Sequence, residues 1–210
     1  MLAVGSWSAY AEETATTAPA GGNVPFEQAS ERAGLLSEVY LNTASGSDAS
    51  GGEAAASAVK TFQRALELVS DGGSIYVDGA ILVSQDLSVA KTVSVKAFGS
   101  QQVGTLNLYG ADYRFVSPSS KNYSRLRIAN ALDMRDSSLS IDAVSIPNRY
   151  GLILGDKGAS KYRIENSSVS ISPYGSILAD SGGFVASNST FAVDGILRTA
   201  WRSTRIRRWS

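Results

Sequence analysis

Cysteine and histidine are both absent from the 210 residues. The first absence excludes disulfides, thiolate zinc sites and cysteine nucleophiles. The second removes the commonest general base and, with it, Ser-His-Asp and Cys-His catalysis. Any chemistry would fall to carboxylates, Arg, Lys, Tyr or Ser, and neither a cofactor nor a metal is expected. Charge is also scarce, at 18% against 43% hydrophobic residues, so Ser, Gly, Asn and Thr supply much of the polar surface. That composition suits many short strands joined by turns. The 19 basic and 19 acidic groups cancel, yet five of the arginines stand in the last thirteen residues, Arg198 to Ser210, leaving 14 basic against 19 acidic groups up to Leu197. A mildly acidic body has no clustered basic face for phosphates, so nucleic acid is not an expected partner. No run approaches the roughly 18–20 apolar residues of a membrane span.

Met1–Ala11 ends in Ala9-Tyr10-Ala11, a small-x-small site before Glu12-Glu13. It reads as the remnant of a secretory signal whose basic start lies upstream of Met1; the alternative is a flexible N-terminus that matches a cleavage site by chance. Residues 12–38, rich in Ala, Thr, Gly and Pro, read as a flexible leader with too little apolar surface to order itself, apart from weak helical periodicity around Phe26–Leu36 that allows a short helix over Ser30–Leu36.

Residues 39–74 read as a capping unit. Val39-Tyr40-Leu41 is a β-prone run and Asn42–Gly52 a loop by composition. Val59, Phe62, Leu66 and Val69 then fall at helical spacing, with Ser57, or Ser50 with Glu53, as N-cap and Asp71-Gly72-Gly73 as the stop. Such a helix fits over the open end of a β-solenoid, whose first turn otherwise exposes apolar surface and unpaired backbone. Asp48 in the loop departs from the spacing of a calcium-binding EF-hand, so no metal is expected there.

Residues 75–197 carry a repeat. Ile75-Tyr76-Val77, Ile81-Leu82-Val83, Leu87-Ser88-Val89 and Val93-Ser94-Val95 recur at a constant hexad spacing, separated by turn formers. Three hexads make one turn of a three-sided coil, which places Val93 on Ile75 and Val95 on Val77. A left-handed hexapeptide helix normally has one apolar anchor per side; two anchors favour the right-handed form. Further beats follow at Leu106/Leu108, Phe115, Leu126/Ile128, Leu132/Met134, Leu139/Ile141, Leu152/Leu154, Ile164, Val169/Ile171 and Phe191/Val193. One cassette occurs three times, beginning at Asp136, Asn166 and Asn188, and the first interval, the longer of the two, accommodates a loop within Pro147–Ser160. Its Asp or Asn is expected to form a structural ladder at a bend, with ligand contact as the alternative.

Val39-Tyr40-Leu41-Asn42, the Ser45-Gly46-Ser47-Asp48 loop, Ala58-Val59-Lys60-Thr61-Phe62 and Asp71-Gly72-Gly73-Ser74-Ile75-Tyr76-Val77 together resemble the start of a pectate-lyase-like right-handed parallel β-helix. They are most similar to the version at the N-terminus of large secreted bacterial surface proteins. The resemblance implies a mainly-β single-stranded solenoid with an N-terminal capping α-helix, in an extracellular or cell-surface setting. It does not decide activity, because lyases, hydrolases, adhesins and phage spikes share the fold.

The resulting expectation is a non-catalytic surface module for adhesion, glycan binding or spacing, part of a larger protein, monomeric in context and with an open C-terminal end prone to association. Tyr109, Tyr113, Tyr123, Tyr150, Tyr162 and Tyr174 form the candidate platform for sugar rings, with Tyr109, Tyr113, Tyr150 and Tyr162 foremost; half-buried turn packing is the alternative. The competing expectation is the N-terminal part of a polysaccharide lyase or glycoside hydrolase acting on acidic or plant-type polysaccharide. It requires Asp133, Asp142 and Arg163 to converge in one groove. The tail 198–210 abandons the repeat composition and reads as the product of a slipped or truncated frame rather than a membrane- or nucleic-acid-binding segment.

Overall fold

The computed structural model describes residues 36–79, 85–97, 99–117, 124–142, 151–155, 161–172, 177–179 and 183–193. Among them the strands are β1 (Leu36–Asn42), β2 (Val69–Asp78), β3 (Leu87–Val89), β4 (Val93–Ala97), β5 (Gly99–Tyr109), β6 (Asp112–Val116) and β7 (Ser124–Arg135). Then come β8 (Ser138–Asp142), β9 (Leu152–Leu154), β10 (Lys161–Glu165), β11 (Ser168–Ser172), β12 (Ile177–Ala179), β13 (Gly183–Ser187) and β14 (Thr190–Val193). One α-helix, α1 (Phe62–Leu68), and a 3-10 turn, Ala55–Ser57, precede β2.

The protein is mainly β, and every strand pairing is parallel. The first sheet has the order β1-β2-β4-β6-β8-β11-β14. The second runs β12-β9-β7-β10-β13, with β5 joining β3 to β7. From β2 onward the chain visits the second sheet before each return to the first. Gly73, Val93, Tyr113, Leu139, Val169 and Phe191 share one row, at steps that are equal at first and longest between Leu139 and Val169. Strand alternation turns one side of each sheet inward, so Val39, Ile75, Val95, Phe115, Ile141 and Ile171 meet Val103, Leu106, Leu126, Leu132, Met134 and Ile164 in one contiguous buried cluster.

The first step corrects the register expected from the hexads. Ile75 lies against Val95 and Val77 against Ala97, while Val93 lies against Gly73. A shift of this kind, by an even number of positions, leaves every side chain on its original face, so alternation alone cannot detect it. The hexad Ile81-Leu82-Val83 lies outside the described residues, as does the loop expected in Pro147–Ser160 save for 151–155.

The helix is shorter than its apolar stripe implies. Thr61 is the N-cap, its side chain accepting from the Arg64 amide at 3.2 Å. Val59 lies outside the helix, bridged to Leu41, and Val69 opens β2. Asp71-Gly72-Gly73 therefore belongs to a strand, where Gly72 at φ 78° makes the bend that shifts β2 against β1. The stop is remote: Lys91 Nζ donates to the carbonyls of Leu66 at 2.8 Å and Val69 at 2.9 Å, satisfying groups that a helix end leaves unpaired.

The outer edge of β1 is covered by its own following loop. Tyr40 donates to Gly52 O at 2.8 Å, Val59 to Tyr40 O at 2.9 Å and Asn42 to Val59 O at 2.8 Å. Asp48 secures that loop by accepting from the amides of Lys60 at 2.9 Å and Thr61 at 2.8 Å. The unpaired groups of an edge strand are thereby paired. At the opposite end Phe191, expected inward, is 40% exposed although its row neighbour Val169 is 1% exposed. Phe191 lies on β14, the last strand of the first sheet among the described residues, so no further described strand covers it. No helix among the described residues is long and apolar enough to cross a membrane.

Candidate functional site

With Leu108, Leu132, Met134 and Ile164 turned inward, alternation sends Tyr109, Asp133, Arg135, Arg163 and Glu165 to the outer face of the second sheet. Parallel register sets Arg163 opposite Asp133, Glu165 opposite Arg135 and Tyr109 opposite Arg135. The four charges therefore alternate both along and across the strands, an arrangement that favours each neighbouring pair.

Within this quartet Asp133 is the organiser. Arg135 reaches both of its oxygens, Nη2 to Oδ2 at 3.0 Å and Nε to Oδ1 at 3.3 Å, and the Tyr109 hydroxyl donates to Oδ2 at 3.1 Å. The Arg135 guanidinium also lies 5.5 Å from the Tyr109 ring centre. Burial, then the hydrogen bond and charge of Asp133, push the Tyr109 hydroxyl above the usual phenol range. The same carboxylate holds the Arg135 guanidinium above its ordinary value. Arg163 is held more loosely, 3.8 Å from Glu165 and about half exposed. The face therefore combines a fixed, exposed aromatic edge with an arginine that retains donors for a ligand.

Asp133 and Arg163 are brought together, but Asp142 is not: it lies on β8 in the first sheet, bound by Arg114. Two of the expected sugar-stacking tyrosines are core residues. Tyr113 is 1% exposed, in register between Val93 and Leu139, and Tyr162 is 2% exposed, partnered by Leu132. The signal that places them was available, because each stands one full strand period from an inward side chain, Phe115 and Ile164. The Tyr113 hydroxyl has no hydrogen-bond partner among the described residues, and burial raises its ionisation well above the phenol range. Tyr123, Tyr150 and Tyr174 lie outside the described residues.

Asp136, Asn166 and Asn188 occupy the corner that leads from the second sheet to the first, each with left-handed backbone at φ 49°, 47° and 47°. Asn188 Nδ2 donates to Asn166 Oδ1 at 3.3 Å, and Asn166 Nδ2 to Asp136 Oδ1 at 3.2 Å. A serine column runs beside them: the Ser137 amide donates to Ser167 Oγ at 3.1 Å and the Ser167 amide to Ser189 Oγ at 3.2 Å. Sequence reasoning missed a fourth corner. Gly110, at φ 59°, precedes Ala111, whose amide donates to Ser137 Oγ at 3.1 Å. The available signal was Asp112-Tyr113-Arg114-Phe115, which repeats the alternation of Ser138-Leu139-Ser140-Ile141.

A second polar cluster was also missed, on the outer face of the first sheet. Tyr40 and Tyr76 stack at 5.1 Å, Lys96 Nζ stands 4.4 Å over the Tyr76 ring and donates to its hydroxyl at 2.7 Å, and that hydroxyl donates to Glu38 at 3.0 Å. Burial and then Glu38 push the Tyr76 hydroxyl up to about 12. Its groups satisfy one another, as cross-strand pairs do in a structural role. Among the described residues no group of three or more potential ligands is placed to hold a metal ion. Comparison of the chain with protein-family models, with curated proteins and with solved structures finds no match.

Proposed function

We propose that the chain is a right-handed parallel β-helix of the pectate-lyase-like kind, serving outside the cell as a non-catalytic module that contacts glycan. The coil reading is supported by the row from Gly73 to Phe191, in which each return to the first sheet adds one parallel strand beside the last. The right hand follows from the general handedness of parallel crossovers. The glycan reading rests on the face formed by Tyr109, Asp133, Arg135, Arg163 and Glu165. An aromatic edge held by a carboxylate, beside planar guanidinium donors, matches the mixed apolar and hydroxyl-rich surface of a sugar. The lyase or hydrolase alternative has less support, since Asp142 stands on the other sheet.

The test is binding of the full chain to immobilised neutral and acidic polysaccharides. Tyr109→Ala and Arg163→Ala are each expected to weaken the retained interaction about tenfold, equivalent to ~1.4 kcal/mol, while Ser170→Ala on the first sheet leaves it unchanged. Folded Tyr109 and Arg163 variants that bind as the parent does, or a parent that binds none of the polysaccharides, would overturn the assignment.

A further inference from the structure

Two of the three corner residues are asparagines that begin acceptor tripeptides for N-linked glycosylation, Asn166-Ser167-Ser168 and Asn188-Ser189-Thr190. Both asparagines are exposed, and each Nδ2 spends one of its two hydrogens in the ladder. In a column of stacked amides the carbonyl points one way along the column and the N–H anti to it points the other way. The hydrogen syn to the carbonyl is left at the edge. That is the hydrogen a glycosidic bond replaces, because the substituted amide remains planar and trans. An N-glycan can therefore stand on this corner without displacing the ladder bond beneath it.

We infer that Asn188 is an N-glycan acceptor whose modification leaves the amide ladder intact. In the transfer Nδ2 forms a bond to the sugar C1 and loses one proton, the bond from C1 to a diphosphate leaving group breaks, and a lipid- or nucleotide-diphosphate sugar is the donor. Adjacent strands are about 4.8 Å apart, so a glycan on Asn188 crowds out one on Asn166. Asn188, whose acceptor tripeptide ends in Thr190 where that of Asn166 ends in Ser168, is the acceptor. The inference rests on the extracellular reading, and a supplied leader separates the two: the route is then given, and only the corner is tested.

The full chain is expressed behind a cleavable secretory leader in eukaryotic cells, with Asn122→Gln, which removes the further acceptor tripeptide Asn122-Tyr123-Ser124, and Ser168→Ala, so that Asn188-Ser189-Thr190 is the remaining acceptor. The expected result is a glycan mass on Asn188 in the secreted protein, abolished by Thr190→Ala, which leaves the ladder side chains in place. Trimming to a single sugar should leave Tm unchanged. Enzymatic release that converts Asn188 to aspartate removes the donor to Asn166 and should lower Tm by about 2–4 °C. Secreted, folded protein unmodified at Asn188, or a single-sugar form as unstable as the aspartate form, overturns the inference.

Discussion

Asn166 holds the middle of the corner ladder, and three substitutions there separate its contributions. Alanine removes both ladder bonds, the one to Asp136 at 3.2 Å and the one from Asn188 at 3.3 Å. The corner is exposed, so each bond is worth about 0.5–1 kcal/mol, the low end of the usual range. Alanine must also adopt the φ of 47° recorded for Asn166, a left-handed conformation that costs a non-glycine residue about 1 kcal/mol or slightly more. The expected loss for Asn166→Ala is therefore about 2–3 kcal/mol. Glycine loses the same bonds but is at ease at positive φ, with an unfolded-state entropy penalty of about 0.5–1 kcal/mol, so Asn166→Gly should cost roughly 1.5–3 kcal/mol, the strain relieved and the entropy added nearly cancelling. Asn166→Asp keeps the acceptor for Asn188 but sets a second carboxylate against Asp136, so its deficit should shrink as pH falls through the carboxylate range. Thermal unfolding reads the order, at about 2–4 °C per kcal/mol in a chain of this size. Hydrogen exchange at the Ser137 amide, which donates to Ser167 Oγ, reads the local effect. A glycine variant clearly less stable than the alanine variant would refute the strain argument, and a neutral alanine variant would refute the ladder.

Other outcomes follow from the same geometry. Tyr113→Phe removes a buried hydroxyl that has no hydrogen-bond partner among the described residues and should stabilise by about 1 kcal/mol, seen as a higher Tm; a destabilised phenylalanine variant would mean that the hydroxyl is satisfied. Gly110 is left-handed at φ 59° and a Cβ there meets nothing within 4 Å, so Gly110→Asn extends the ladder as a second donor toward Asp136, whereas Gly110→Ala adds only strain. The asparagine form should exceed the alanine form by about 1–2 kcal/mol in denaturant unfolding, and equal stabilities would count against the fourth corner. Burial works to raise the Asp48 carboxyl, but the amides of Thr61 and Lys60 outweigh it and hold the group below its ordinary value of 3.8. A lowered folded pKa gives stability that is fully present above the unfolded value and is lost as pH falls through the folded one. Opening of the loop over β1 should therefore begin below about pH 3.8, and Asp48→Ala, already weakened at neutral pH, should lack that acid limb; parallel pH–stability curves would contradict it.

What could be read from the chain was what is local to a strand or a corner. Alternation at Leu132/Met134, Leu139/Ile141 and Val169/Ile171 assigns their inward faces because each pattern is complete within a single short strand. The cassettes at Asp136, Asn166 and Asn188 were legible because a left-handed corner selects Asn or Asp, whereas the same corner at Gly110 uses the other residue that tolerates it and leaves no side chain to align. The candidate face was legible residue by residue, as alternating charge, but the pairing of Asp133 with Arg163, a full pass of the chain later, depends on the interval between strands.

That interval is where local reading fails, and the first step shows why. Setting Ile75 against Val93 or against Val95 leaves the same side chains inward, so hydrophobic period cannot choose between the two registers. The choice is made by polar contacts between successive passes of the chain. Asp71 accepts from the Thr92 amide at 2.7 Å, the Gly72 amide donates to Thr92 O at 2.8 Å, and Asp86 accepts from the Thr105 amide at 2.7 Å. The shorter step, with Val93 on Ile75, carries Thr92 past Asp71 and leaves its carboxylate and the Gly72 amide to find other partners. Lys91, donating beneath α1 from the same turn, adds a third constraint at that position. Register here is a property of turn side chains meeting backbone on the neighbouring pass, so a reading that weighs only apolar spacing recovers the faces of the strands without the register in which they stack.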